Sequence, residues 1–337
     1  MKTNWLFPLT LGVILVFFSF SLLAQNNEDP FIPSGKINGK VFSNFHYQLF
    51  SEDGESAFAV ERAYFGYEYF LSENFTINLK LDIGSPNQDS PYDILKRYAY
   101  FKNAALIYTK DKLTLSFGLI DLYQFKVQEK FWGHRYIYES FQDEHKFGSS
   151  ADLGAAVLYK FTDYLSADLT VMNGEGYNQL QTDNTYKTGL GITVIPFKGL
   201  TARLYVDYIE QDEIQTTWAS FIGYDFKKIV QVGIEYNYQM NNKYNEDQNL
   251  HGFSGYASWQ VFEKWQIFAR YDKLWSNTLA GEPYEWNINK DGSALITGVQ
   301  YSPIKNINIA ANYQDWYPYA QNIDNESYFY LNLEYKF

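Results

Sequence analysis

From residue 36 onward, apolar side chains return at every second position in short blocks, and that periodicity restricts the chain to a sheet-built fold. In the segment 75–83, Phe75, Ile77, Leu79, Leu81 and Ile83 share one face, while Asn78, Lys80 and Asp82 share the other. A period of two is that of a strand with one apolar side. The same pattern runs through 113–119, 200–208, 230–240, 265–271 and 307–313. In all, about sixteen blocks are readable, from 36–50 to 326–337, their ends good to about two to four residues. Alternation is weakest in the tenth, twelfth and fourteenth blocks.

The connections sort by length. Ser72-Glu73, Lys110-Asp111, Thr162-Asp163, Lys227-Lys228 and Glu263-Lys264 are tight, as are Phe197-Lys198-Gly199 and Pro303-Ile304-Lys305. Most of those between them are longer and polar, such as 174–184, 241–250 and 276–290. Short turns at one end and long loops at the other, on an even number of antiparallel strands, are the pattern of a bacterial outer-membrane β-barrel. A soluble β-sandwich or propeller has no reason to sort its loops this way. Nor would it need aromatics at 20% of residues, 31 of them Tyr. A barrel in lipid does, because Tyr and Trp favour the membrane–water interfaces. The expected fold is therefore an all-β transmembrane antiparallel barrel of about sixteen strands over residues 36–337, preceded by a short segment at 25–35.

The first 24 residues have a different character. Lys2 is followed by an uncharged, Leu- and Phe-rich run ending at Ser21-Leu22-Leu23-Ala24, with Glu28 the next charge. That order is a secretory signal with cleavage after Ala24, although Leu22 stands where a small residue is preferred. The chain lacks cysteine, which excludes a thioether-linked lipid anchor, disulfides and thiolate metal sites. Its formal net charge of −12, or −13 without Lys2, argues against nucleic acid as a partner.

Phe131-Trp-Gly-His-Arg-Tyr-Ile-Tyr through Ala151-Asp-Leu-Gly154 resembles a segment of bacterial porins loosely related to the phosphate-selective, O/P-like porin family. So do Ser166-Ala-Asp-Leu-Thr-Val-Met-Asn-Gly-Glu-Gly-Tyr177 and Gly298-Val-Gln-Tyr-Ser-Pro303. The resemblance is diffuse, carried by strand and turn texture over most of the barrel. It implies a sixteen-stranded pore, a homotrimer, and a third external loop folded inward. The last block, with Phe329, Leu331, Leu333, Tyr335 and Phe337 on one face, looks like the terminal signal that the barrel-assembly machinery reads.

The longest connection, 122–149, is that third loop. It carries Lys126, Lys130, His134 and Arg135, then Glu139, Asp143 and Glu144. Opposed charges across a constriction would set a size limit and a transverse field. Alternatively, Phe131, Trp132, Tyr136 and Tyr138 simply pack a solvated loop. On the strands, Lys80, Asp82, Asp168, Lys187, Arg203, Asp207, Glu235, Arg270, Asp272 and Glu334 are expected to face the lumen, because a basic group facing lipid at mid-depth costs roughly 2–4 kcal/mol. Arg203 with Asp207, and Arg270 with Asp272, are the expected pairs.

Four histidines, His46, His134, His145 and His251, come with no nucleophile motif and no metal-ligand spacing, so a hydrolase has little support. No cofactor or metal is expected. The leading expectation is a water-filled pore for small hydrophilic solutes or ions, with weak ion preference, set in outer-membrane lipid. A closed structural or receptor-type barrel and an anion- or phosphate-selective porin are the alternatives.

Overall fold

The computed structural model describes residues 31–51, 54–84 and 98–337. The expected signal segment, 1–24, and most of the segment 25–35 lie outside the described residues. Sixteen antiparallel strands close into one barrel. They are β1 (Ser34–Leu49), β2 (Ser56–Phe70), β3 (Phe75–Gly84), β4 (Tyr98–Lys110), β5 (Leu113–Asp121), β6 (Ala151–Thr162), β7 (Leu165–Met172) and β8 (Lys187–Val194), followed by β9 (Leu200–Glu210), β10 (Ile214–Phe226), β11 (Val230–Met240), β12 (Leu250–Phe262), β13 (Trp265–Ser276), β14 (Gly292–Tyr301), β15 (Ile307–Pro318) and β16 (Glu326–Lys336). Each strand pairs with its neighbours in sequence, and β16 returns to β1 in the register Lys40↔Lys336 to Leu49↔Ser327.

Closure ends on a glycine. The Gly39 N–H donates to the Phe337 carbonyl at 2.9 Å, and the Phe337 N–H donates back at 3.1 Å. A Cβ on Gly39 would collide with the tip of the Phe337 ring, so the missing side chain makes room for the terminal aromatic against β1. Outward-facing apolar groups stay exposed around the wall, including Phe58, Phe117 and Leu204. A continuous apolar exterior on this scale needs lipid rather than water around it.

Connections at one end are two to five residues long. At the other, 173–186, 241–249 and 277–291 are long, but β9 to β10 takes only 211–213, an exception to the sorting. The twenty-nine residues from β5 to β6 hold α1 (Lys126–Trp132) and α2 (Phe141–Glu144). Gly133 ends α1 in the left-handed conformation, φ 71°, and its N–H caps the Glu129 carbonyl at 3.0 Å; that backbone favours glycine.

The weak alternation of β10, β12 and β14 has a packing cause. Phe221, Tyr256, Ala294 and Ile296 point inward from these strands and join one buried cluster with Phe42, Phe268 and Ala310 of the wall and Trp132, Tyr136 and Ile137 of the β5–β6 loop. Where a loop covers the inner face, that face is apolar too, and the sequence loses its contrast.

Candidate functional site

The β5–β6 loop crosses the barrel interior and bonds to strands far from its own ends. The Tyr256 hydroxyl donates to the Gln128 carbonyl at 3.0 Å, and Tyr136 donates to Gln300 on β14 at 2.7 Å. Gln314 on β15 donates to the Ile137 carbonyl at 3.2 Å, and Asn332 on β16 to the Tyr136 carbonyl at 3.3 Å. At the neck, Gln124 donates to Gln142 at 2.9 Å and to the Phe147 carbonyl at 3.1 Å. Two wall glycines serve as seats. A Cβ at Gly223 would stand 2.7 Å from the Phe131 ring, and one at Gly252 would strike Phe141. The loop's aromatics therefore pack on the wall, not only on one another.

Arg270 pins the loop from below. It makes a two-pronged ion pair with Asp272, 2.8 and 2.6 Å, and donates to the Glu139 carbonyl at 2.6 Å. Its guanidinium lies 5.1 Å from the ring centres of both Trp132 and Tyr138. The expected Arg270–Asp272 pair is thus present. The expected Arg203–Asp207 pair is not. Arg203 instead reaches across β8 to Asp168, at 2.6 and 3.0 Å, and Asp207 pairs with Lys187 at 2.8 Å. The reason lies in β8, whose inner face reads Lys187, Gly189, Gly191. A side chain at Gly191 would collide with the Arg203 guanidinium, so glycine opens the path to β7. Arg203 also donates to the Tyr123 and Gln124 carbonyls at 2.9 and 3.3 Å, holding the loop's first residues.

Glu235, on the inner face of β11, is buried and accepts from Asn237 at 3.2 Å. Glu334 accepts from Asn308 at 2.6 Å and pairs with Lys336 at 2.9 Å.

The loop's other side is charged. Arg135 pairs with Glu129 at 2.7 Å, Glu139 at 3.2 Å and Asp143 at 2.7 Å. Arg135 is thus paired within the loop itself, whereas Lys126 reaches out to Asp121 on β5. This face meets β2 and β3: Arg62 lies 3.4 Å from Glu139 and 3.8 Å from Asp82. Asp121, at the end of β5, stands 3.6 Å from both Lys80 and Lys126. Lys130 is exposed and Glu144 half-buried. Water reaches this side, where Arg62 keeps 26% exposure, Asp121 30% and Glu139 24%, although Asp82 beside Arg62 is fully buried; the pairs on β7 to β9 and β13 keep 0–7%.

Arg62 and Lys102 do not stand out in the sequence as inward-facing cations, because each sits at a β-bulge. The register slips between Phe42 and Ser43 opposite Glu61, and between Lys80 and Leu81 opposite Lys102. A bulge puts two residues against one and re-aims side chains. Two adjacent polar residues in an otherwise alternating strand, Glu61-Arg62 and Lys102-Asn103, are the signal that marks both sites. Lys102 lies 4.3 Å from the Tyr177 ring centre and bonds to Ser150, while Tyr177 donates to Asp82 at 2.8 Å.

Burial tunes the loop's acids. Glu144 is pushed up to about 7 by desolvation, with Glu139 adding to it. Asp143 is raised by the same two causes. Burial presses Glu139 upward as well, but Arg135 and then Arg62 and Lys146 overcome it and hold its carboxyl below the usual value. Desolvation lowers His145 to about 4, and its ring packs at a tilt against Phe141 with ring centres 4.5 Å apart. Burial also lowers His134, whose Nδ1–H donates to the Trp132 carbonyl at 2.7 Å and whose Nε2 lies 3.0 Å from the Gln266 amide. Both histidines are packing groups of the loop. Among the described residues, no three His, Asp or Glu side chains are grouped to hold a metal ion.

No protein-family model and no curated protein matches the chain. Solved structures do match its fold. Salmonella typhi OmpF, in a complex with daunomycin, superposes with a TM-score of 0.67 at 11% identity, over 90% of this chain and 97% of that one. The outer-membrane channel DcaP of Acinetobacter baumannii gives 0.64 at 11%, over 94% and 100%. OmpT, an outer-membrane protein of Vibrio cholerae in its trimer form, gives 0.60 at 14%, over 92% and 100%. The fold is that of sixteen-stranded outer-membrane barrels of the porin type. At such low identity, the likeness extends to the fold alone.

Proposed function

We propose that this chain is an outer-membrane channel through which small hydrophilic solutes or ions diffuse passively, and that the β5–β6 loop narrows its passage. The observation that carries this reading is the loop's two-sidedness. Its apolar side is spent on the β10–β16 wall, and its charged side faces the water-accessible charges of β2 to β5. Sixteen strands enclose more space than side chains can fill, and one loop held to one wall leaves room beside the other. Lys126, Lys130, Arg135, Glu139, Asp143 and Glu144 then belong to the constriction, with Lys80 and Arg62 opposite and the buried Asp82 and Lys102 behind them. Cations and anions are mixed there, so ion preference is weak.

Purified protein in planar bilayers tests this. Discrete conductance steps with a permeability ratio near one are expected. A closed membrane would favour the structural-barrel alternative, and strong anion preference the phosphate-selective one. Export by a cleaved 1–24 segment, assembly as a homotrimer and recognition of the last strand by the assembly machinery complete the proposal. Deleting Phe337 removes the ring that lies on Gly39 and should lower membrane levels severalfold, read by heat-modifiable gel mobility of membrane fractions. Normal levels would release the terminal aromatic from any role in insertion.

A further inference from the structure

The barrel's two rims carry opposite charge. Five connections at the long-loop rim, 173–186, 211–213, 241–249, 277–291 and 319–325, hold ten carboxylates against two lysines. The tight connections at the other rim hold six lysines against four carboxylates. Three of these lysines share one arc. Lys198 precedes Gly199, whose carbonyl accepts from the Asp225 N–H at 2.9 Å, and this brings the β8–β9 turn beside the β10–β11 turn with its Lys227 and Lys228.

The β10–β11 turn is an unusual place for two lysines. The Ile229 N–H closes it on the Phe226 carbonyl at 2.8 Å, with Lys227 at φ 53° and Lys228 at φ 60°. Both central residues are left-handed, the geometry that strongly prefers Asn-Gly. Two lysines stand there despite the backbone strain. The one nearby carboxylate, Asp225, is engaged locally: it accepts from the Lys228 N–H at 2.6 Å and from the Gln231 amide at 3.3 Å. Among the described residues, no ion pair joins Lys198, Lys227 or Lys228 to a carboxylate.

Directly above the lysines, towards the barrel's middle, lies an aromatic plate. Phe197 and Tyr224 rings are 6.3 Å apart, Tyr224 and Phe226 rings 6.5 Å, and Lys227 Nζ is 5.6 Å from the Phe226 ring centre. Phe197, Phe226 and Ile229 are exposed. Free ammonium groups just outside an exposed aromatic girdle sit at the depth of lipid headgroups.

We propose that Lys198, Lys227 and Lys228 form a binding site for the phosphate headgroup of an anionic phospholipid in the leaflet at the tight-turn rim, its acyl chains lying on Phe197, Tyr224 and Phe226. The site rests on the membrane reading of the barrel but not on its being an open channel. A lysine close to a charged membrane surface contributes about 1 kcal/mol, or roughly fivefold in affinity.

The full chain in mild detergent, offered phosphatidylglycerol or phosphatidylcholine of equal chain length, can be weighed intact by native mass spectrometry to count retained lipid. Phosphatidylglycerol should be retained at least tenfold better. Lys227→Asn with Lys228→Gly installs the residues the turn prefers, so folding is preserved while two charges go; adding Lys198→Gln removes the third. The triple variant should lose the preference. Equal retention of the two lipids by the unaltered chain, or an unchanged preference in the triple variant, overturns the proposal. So does displacement of the lipid by millimolar inorganic phosphate, which would indicate a free-anion site. Single-channel conductance of the same preparations keeps the two readings apart: conduction without lipid preference removes the lipid site alone.

Discussion

The inner faces of β10 to β14 and of β2 to β5 enclose the same lumen, yet they use charge in opposite ways. On the β10–β14 side, charge is structural. Arg270 is fully buried, locked to Asp272 and the Glu139 carbonyl, and held between two rings. On the β2–β5 side, Arg62, Lys80 and Asp121 keep their access to water and hold partners more loosely, at 3.4–3.8 Å. The loop makes the difference, because it covers one face and only approaches the other. A charge under the loop holds it in place; on the proposed channel reading, a charge opposite the loop acts on what passes.

Two substitutions of the same kind should therefore have opposite effects. Arg270→Met strands Asp272 in a buried site and releases the Glu139 carbonyl, which should cost about 3–5 kcal/mol. It should appear as a large fall in the urea midpoint, with noisier conductance as the loop loosens. A stability loss under 1 kcal/mol would mean that water already reaches Asp272, and the contrast between the walls would fail. Arg62→Met removes a cation that keeps 26% exposure and stands 3.8 Å from Asp82; the buried Asp82 keeps the Tyr177 hydroxyl as a donor at 2.8 Å, so the stability cost should be about 1–2 kcal/mol, below that of Arg270→Met. Its effect belongs in permeation: with one fewer cation beside Glu139 and Asp82, the reversal potential in a salt gradient should move towards cation preference. An unmoved reversal potential would place Arg62 outside the path of ions.

The same contrast explains which features can be read from sequence. All sixteen strands emerge from alternation, with ends within about three residues, because lipid outside and polar groups inside give each strand two unlike faces. The signal fades in β10, β12 and β14, where Phe221, Tyr256 and Ile296 turn the inner face apolar beneath the loop. The pair Arg270–Asp272 is legible because both lie on one face of one strand. Arg203–Asp168 is not, because it depends on register across three strands and on the space left by Gly191. Arg62 and Lys102 are hidden for a local reason: bulges break the count of two just where they re-aim a cation. The loop's length shows that it can reach inward, but only the glycine seats at Gly223 and Gly252 and the pin at Arg270 show which wall it takes.

The smallest effect should come from the boundary between the two regimes, at Glu144. Half-buried on α2 and raised to about 7 by desolvation and Glu139, its carboxyl is largely neutral at pH 6 and largely ionised at pH 8. Ionisation adds a negative charge on the loop's polar side, so cation preference should rise modestly as pH climbs through 7. The linkage to stability has the matching sign. The folded pKa lies above the unfolded one, so this group favours the folded loop at low pH and loses that contribution as pH rises through about 7. Reversal potentials at pH 6 and 8 provide the check, with Glu144→Gln expected to flatten the difference. If the variant keeps the full pH dependence, Asp143, raised by the same two causes, becomes the titrating group, and the boundary moves one residue deeper into the packed side of the loop.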